Sequence, residues 1–382
     1  MKIKQLAAMV AVLASTPTYA AIETSAGTAN VDLRLRYETV DQDNTLDTAH
    51  ALTLRTVANF KTKSHSGFYG FVELENSIAL LEDYNSTQNG EAGYSVIADP
   101  ATTELDQAYV GYAANGLSVK VGRQVITMDN HRFVGHVGWR NDKQTFDAVS
   151  ATYAASEKLK LSAAYITKRN RIFEDARDID SSDILLNAAL NTEFGTVTGY
   201  GYLLDQDEGA VIDTYGARLA GAKSGVSYQV EFATQTIEAG ANEFDTSYLL
   251  LEAGTKVGDV TVKAGYESLG SDDGQAGFAT PLATLHKFNG WADQFLGTPG
   301  VGLDDMYATV AGKASFGKWA ATFHSYSANE ASDTVDDLGS EINAVLNTKV
   351  SGFPLGIKAA VYSAGDIKVD TTKLWIWTGY KF

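Results

Sequence analysis

The stretch VDLRLRYE, residues 31–38, puts Val31, Leu33, Leu35 and Tyr37 on one face of an extended chain and Asp32, Arg34, Arg36 and Glu38 on the other. Side chains of a strand alternate between its two faces, so a period of two with one apolar and one charged face predicts a strand between unlike surroundings. ALTLRTVANF, residues 51–60, repeats the pattern: Leu52, Leu54, Thr56, Ala58 and Phe60 oppose Thr53, Arg55 and Asn59. Similar runs recur as far as KLWIWTGYKF, residues 373–382, in which Leu374, Ile376, Thr378, Tyr380 and Phe382 alternate to the final residue. Together they predict about 18 strands.

The connections alternate as the strands do. Asn115-Gly116, Ser224-Gly225, Gly258-Asp259 and Phe316-Gly317-Lys318 suit tight hairpins. Between them lie long polar segments at 79–103, 128–144, 170–180 and 270–302. Short turns on one rim and long loops on the other describe an antiparallel up-and-down β-barrel.

Composition agrees with an extended sheet. The 382 residues include 35 Gly and 19 Tyr but only 5 Pro, and no Cys, so no disulfide framework supports the fold. The formal charge of −17 argues against nucleic acid as a partner. At the N-terminus, MKIKQLAAMVAVLASTPTYA carries Lys2 and Lys4 ahead of an apolar run and ends in small residues, which predicts a signal peptide over 1–20 and a mature single-domain chain over 21–382. No later run is apolar for the ~18 residues that a spanning helix needs.

Which face of the barrel meets water decides its class. A soluble β protein turns its apolar face inward, whereas a transmembrane barrel turns it outward to lipid. Here the non-apolar faces carry too many long charged groups to fill a small core. The reading is therefore an all-β transmembrane barrel, exported to the bacterial outer membrane, where lipid and lipopolysaccharide surround it. The C-terminal strand ending in Phe382 resembles the signal read by the barrel-assembly machinery of outer-membrane proteins. About 18 strands leave an aqueous channel, whereas eight are filled by their own side chains.

The apolar face of each strand fixes which residues face the lumen. Bases predicted there are Arg34, Arg36, Arg55, Lys61, Lys120, Lys160, Lys168, Arg218, Lys263, Lys313, Lys349 and Lys358. The acids are Asp32, Glu38, Glu73, Glu75, Glu231, Glu252 and Glu267, which makes a basic wall inside an acidic chain. Much of the negative charge then belongs to the outer loops. DQDNTLD, residues 41–47, offers Asp41, Asp43, Asn44 and Asp47 but lacks the terminal glutamate of a calcium loop, so no metal is assigned. Arg123 is awkward, because the parity of Val119 and Val121 points it toward lipid unless a bulge intervenes or it sits above the bilayer.

Counting strands makes 128–144 the third outer loop, the one that in porins commonly folds inward and narrows the passage. It holds Arg132, Arg140 and Lys143 against Asp129 and Asp142, with His131, His136, Phe133 and Trp139 among them. Rings that stack on sugars and arginines that pair with carboxylates suit the passage of anionic sugars or other small anions. Gly135 and Gly138 would permit a tight bend. His131 and His136 lack the spacing of a helical zinc motif, and no HExxH or GxSxG occurs, so no enzyme and no cofactor is assigned. Segment 270–302 either lines the mouth with His286, Lys287, Trp291 and Asp293 or packs on Leu285, Phe288 and Phe295, and packing is the favoured reading.

LRLRYE, ALTLRT, GRQVI followed by RFVG, GWR and QTFDA, and GFATPLATLHKFNGWADQFLGTPGVGLDD together resemble the alginate-export family of outer-membrane porins. The resemblance implies an 18-stranded barrel with an electropositive pore bearing Arg34, Arg36, Arg55, Arg132 and Arg140. The expected function is passive diffusion of hydrophilic solutes through a charged constriction. The alternative is secretion of an alginate-like anionic polysaccharide.

Overall fold

The computed structural model describes residues 21–382 apart from 174, so the predicted signal peptide lies outside the described residues. Eighteen long antiparallel strands form one closed sheet. They are β1 (Gly27–Gln42), β2 (Ala49–Thr62), β3 (Phe68–Asp83), β4 (Thr102–Ala114), β5 (Leu117–Gln124), β6 (Thr145–Ala154), β7 (Leu159–Asn170), β8 (Ile179–Thr192) and β9 (Gly195–Asp205). The circuit continues through β10 (Val211–Lys223), β11 (Val226–Ala239), β12 (Asn242–Val257), β13 (Val260–Leu269), β14 (Leu303–Ala314), β15 (Gly317–Ser327), β16 (Asp337–Val350), β17 (Phe353–Ser363) and β18 (Thr371–Lys381). Each strand pairs with its sequence neighbour, and β18 closes on β1 with Asp32 opposite Lys381 and Gln42 opposite Thr371. Closure leaves no free sheet edge, which lets a sheet exist in lipid.

Alternation works as the sequence predicts. On β1, Arg36, Glu38 and Val40 are buried inside, while exposed apolar side chains such as Leu74, Val110, Val121, Phe232, Met306 and Ile342 face outward around the circuit. Tight turns use left-handed residues, for example Asn115 and Gly116, or Ser224 and Gly225.

Two details depart from the sequence reading, and a third, Arg123, is explained by its neighbour. The segment expected as a loop over 79–103 is shorter: β3 runs to Asp83 and β4 starts at Thr102, because a bulge at Leu52/Thr53 restores pairing up to His50 opposite Asp83. Lys168, assigned to the lumen, follows a register shift between Ile166 and Lys168. One extra residue flips every later side chain, so Arg169 turns inward onto Asp183 and Lys168 instead pairs with Asp178 at 3.1 Å. Arg123 keeps its outward parity, and Asp147 on the neighbouring strand neutralises it at 2.8 Å.

The main apolar cluster is inside the barrel, toward the long-loop rim. Val134 from the third long loop and Phe278, Leu282, Ala292 and Phe295 from 270–302 pack on inward-facing Tyr200, Tyr202, Tyr248, Tyr326, Tyr362 and Trp375. Both loops are therefore folded into the barrel and partly fill it.

Candidate functional site

The third loop, residues 125–144, enters because its polar groups find partners on the wall. Val134 forms a parallel bridge with Leu282, and the Gly135 amide donates to the Leu282 carbonyl at 2.7 Å, tying the two long loops together. A Cβ at Gly135 would stand 2.1 Å from Thr284 Oγ1, so only glycine permits this approach. Asp129 and His131 adopt positive φ of 49° and 70°, which turns the chain at the loop tip.

The loop's bases are all engaged. Arg140 is 6% exposed and gives Nη1 to both Glu38 oxygens at 3.1 Å and Nη2 to Asp293 at 3.1 Å, with Asp99 at 3.5 Å. Burial alone would lower the pKa of its guanidinium, but the carboxylates of Glu38, Asp99 and Asp293 outweigh it and hold the charge on. Arg132 pairs with Glu267 at 2.7 Å and donates to Asn289 at 2.9 Å, beneath the Phe288 ring. Lys143 meets Glu73 at 2.8 Å, Glu75 at 3.2 Å and Asp106 more closely still.

Wall arginines hold the same loop from the other side. Arg34 donates to the Arg140 carbonyl at 2.7 Å and to Asn141 at 2.9 Å, while Arg36 reaches the Trp139 carbonyl and pairs closely with Asp99. Burial opposes ionisation of Asp99, yet Arg36 and Arg140 keep its carboxyl below the usual range. Arg55 pairs with Asp32 at 3.5 Å, and Arg218 with Glu231 at 3.5 Å. Of the arginines singled out in the sequence, Arg34, Arg36, Arg132 and Arg140 meet at the third loop, whereas Arg55 and Arg218 pair with acids on neighbouring strands, and Arg36, Arg132 and Arg140 act as buried fasteners whose charge is already met. Inward-facing Asp106, Asp183, Asp305 and Glu341, absent from the sequence-based count, are buried and add acid to the wall. A register shift conceals Asp106 and another adjoins Asp183, whereas the outward parity of Met306 and Ile342 marks Asp305 and Glu341 as inward without any shift.

Asp142 is different. It is 3% exposed, and its Oδ2 has no hydrogen-bond partner among the described residues. Burial, reinforced by the nearby carboxylates of Glu104, Glu75 and Asp106, pushes its pKa up to about 9, so it is neutral at physiological pH.

Segment 270–302 packs, but its centre is not the predicted trio alone. Phe295 is buried against Tyr326, whereas Phe288 covers Arg132 and Leu285 is only partly buried. His286 stacks on Trp139 at 4.8 Å and lies between Asp293, 2.6 Å from Nδ1, and the Lys358 ammonium, 2.6 Å from Nε2. Burial holds its pKa down to about 3, so the Asp293 contact is a hydrogen bond from a neutral ring. Lys358 sits between the rings of Trp139 and Trp291 at 4.0 and 3.9 Å, which locks both loops to β17.

His131 and His136 meet edge to face at 5.4 Å. Burial lowers both pKa values, helped by Lys287 for His131 and by His131 itself for His136. No group of three metal-ligating side chains occurs among the described residues.

What stays open is the space on either side of the loop tip. One cavity of about 420 Å³ is lined by Asn130, Glu252, Lys263, Lys287, Trp291 and Tyr307 among others. A second of about 400 Å³ includes Lys120, Lys160, Ser118, Ser162 and Asp129. Asp129 faces one and Asn130 the other, and Lys287 holds the turn by donating to the Asn130 carbonyl at 2.7 Å. Asp129 itself accepts from Asn187 at 2.8 Å.

A family model described as alginate export matches residues 26–267. No curated protein matches the chain by sequence. Among solved structures, OpdO of Pseudomonas aeruginosa is 12% identical with a TM-score of 0.71, covering 94% of this chain and 98% of its own. OccAB1 of Acinetobacter baumannii is 13% identical with a TM-score of 0.72, over 97% of this chain and 99% of its own. A BenF-like porin from Pseudomonas fluorescens Pf-5 is 13% identical with a TM-score of 0.71, over 93% and 99%. At these identities the likeness is one of fold.

Proposed function

Because this chain belongs to the alginate-export family, we propose that it is a bacterial outer-membrane porin passing hydrophilic solutes, with preference for anionic sugars or other small anions, by passive diffusion. The observation that carries this reading is a closed 18-stranded barrel, apolar outside, whose charged interior keeps open cavities on both sides of an inward-folded loop. The barrel's likeness to a protein described as a BenF-like porin supports it. Lysines at the open end of the lumen, rather than the fastened arginines, supply the attraction for anions.

The family description favours a second reading, secretion of an alginate-like polysaccharide. Two loops packed inside one half of the barrel, leaving cavities of about 420 and 400 Å³, suit single small solutes better than a threaded polymer. Purified protein in a planar bilayer separates the possibilities. The expected result is an ionic conductance with anion preference. No conductance would end the channel reading, and cation preference would end the anion reading. A current blocked by alginate oligomers but unaffected by small uronates would favour the secretion reading.

A further inference from the structure

The inward cations of the barrel divide into two populations. Arginines toward the long-loop rim hold carboxylates, as described above. Toward the short turns, Lys120, Lys160, Lys256, Lys313 and Lys318 face the lumen with no carboxylate within 4.0 Å among the described residues. Lys61 and Lys120 instead rest over the faces of Tyr69 and Tyr109, at 4.5 and 4.8 Å.

One part of this mouth has the make-up of a binding site. Ser118 on β5 is opposite Thr152 on β6, Thr152 is opposite Ser162 on β7, and Ser162 is opposite Asn187 on β8. This polar rung crosses four strands on the lumen face. Lys120 lies one inward position from it on β5, beside Ser150, and Lys160 lies one inward position from it on β7, toward the short turns. The two lysines thus flank the rung on opposite sides, roughly 10 Å apart across two strand spacings and roughly 13 Å apart along the strands, a gap that two extended lysine stems and a bridging ligand can close. All of these residues line the cavity of about 400 Å³.

We propose that this rung with Lys120 and Lys160 is a binding site for tetrahedral oxyanions carrying a phosphoryl group, entering from the short-turn mouth. An oxyanion with several acceptor oxygens can take hydrogen bonds from hydroxyls and two ammonium groups at once, which chloride cannot match. Ammonium groups on flexible stems act as point charges that adapt to such a ligand. Asp129 faces the same cavity from the loop side and sets its upper limit by repulsion. The site rests on the channel reading only for access to the cavity.

Binding of inorganic phosphate and of glycerol phosphate to the full-length barrel in lipid nanodiscs, read by calorimetry with chloride as comparison, tests this. At least tenfold tighter binding of either phosphate than of chloride is expected. Lys120→Gln with Lys160→Gln should weaken it at least tenfold, and Asp129→Asn should strengthen it. Lys313→Gln with Lys318→Gln makes the same charge change on the far wall, where the two lysines are opposite each other on β14 and β15, and should leave binding within twofold. Binding no tighter than chloride, or equal loss in both double variants, overturns the site. Heat-modifiable migration on gels checks that each variant is folded. Calorimetry reads the site even if bilayers show no current, so failure of the channel reading is seen separately.

Discussion

Nη1 of Arg140 lies 3.1 Å from both carboxylate oxygens of Glu38, so a residue of the third loop and a residue of β1, far apart in sequence, share one buried charge pair. Asp99 and Asp293 join them from two further loops. Removing the guanidinium takes the nearest cation from buried Glu38 and leaves Asp99 to Arg36 alone and Asp293 to Lys373 alone. Arg140→Ala should therefore cost about 3–5 kcal/mol and free the third loop. Limited proteolysis within 128–144 and added current noise in bilayers report it. Arg140→Lys should recover only part, because one ammonium cannot span Glu38 and Asp293 as the planar guanidinium does.

Asp142 predicts a pH dependence with a definite sign. Its carboxyl is held up at about 9 in the docked loop, against about 4 when exposed. Docking is then favoured fully below about pH 4, and that preference fades as pH rises through about 9. Asp142→Asn should flatten the loss. Loop proteolysis measured between pH 5 and pH 9.5 checks it: unchanged pH dependence in the variant would rule Asp142 out as the source.

Gly135 and Gly138 separate two uses of glycine. A Cβ at Gly135 meets Thr284 Oγ1 at 2.1 Å and the Thr284 backbone nitrogen at 2.8 Å, so Gly135→Ala must push the loops apart, at about 1–3 kcal/mol. At Gly138 the clash is with the His136 ring at 2.5 Å, which can swing away. Urea midpoints should fall clearly for Gly135→Ala and little for Gly138→Ala.

The outward belt is testable at Val121, which is 52% exposed on β5. Val121→Lys should cost about 2–4 kcal/mol if that position lies near the bilayer centre. Folding titrations in liposomes measure it. The lumen-facing neighbour Lys120→Gln should leave stability nearly unchanged in the same assay.

How far the site was legible follows from the reach of each signal. Strand parity is local: two residues apart share a face, and VDLRLRYE alone puts Arg34 and Arg36 inward. It fails where one inserted residue resets the count, as at Lys168, which nothing in the composition of residues 159–170 announces. Whether an inward charge is free is not local at all. Arg36 looks like a lumen cation until Asp99 arrives from the loop at 84–101, and Arg132 until Glu267 meets it across the barrel. Lys358 was legible as inward, but its place between Trp139 and Trp291 depends on two loops folding toward each other.

The sequence by itself determined the closed barrel and its apolar exterior, because these follow from a two-residue period and the lengths of turns, while the entry of the 270–302 loop beside the third loop came only with the tertiary packing. Only the tertiary structure decided which charges remain available to a solute. That depends on pairing between groups a hundred residues apart, and the pairing spends the arginines on holding loops while leaving lysines at the short-turn mouth open to water.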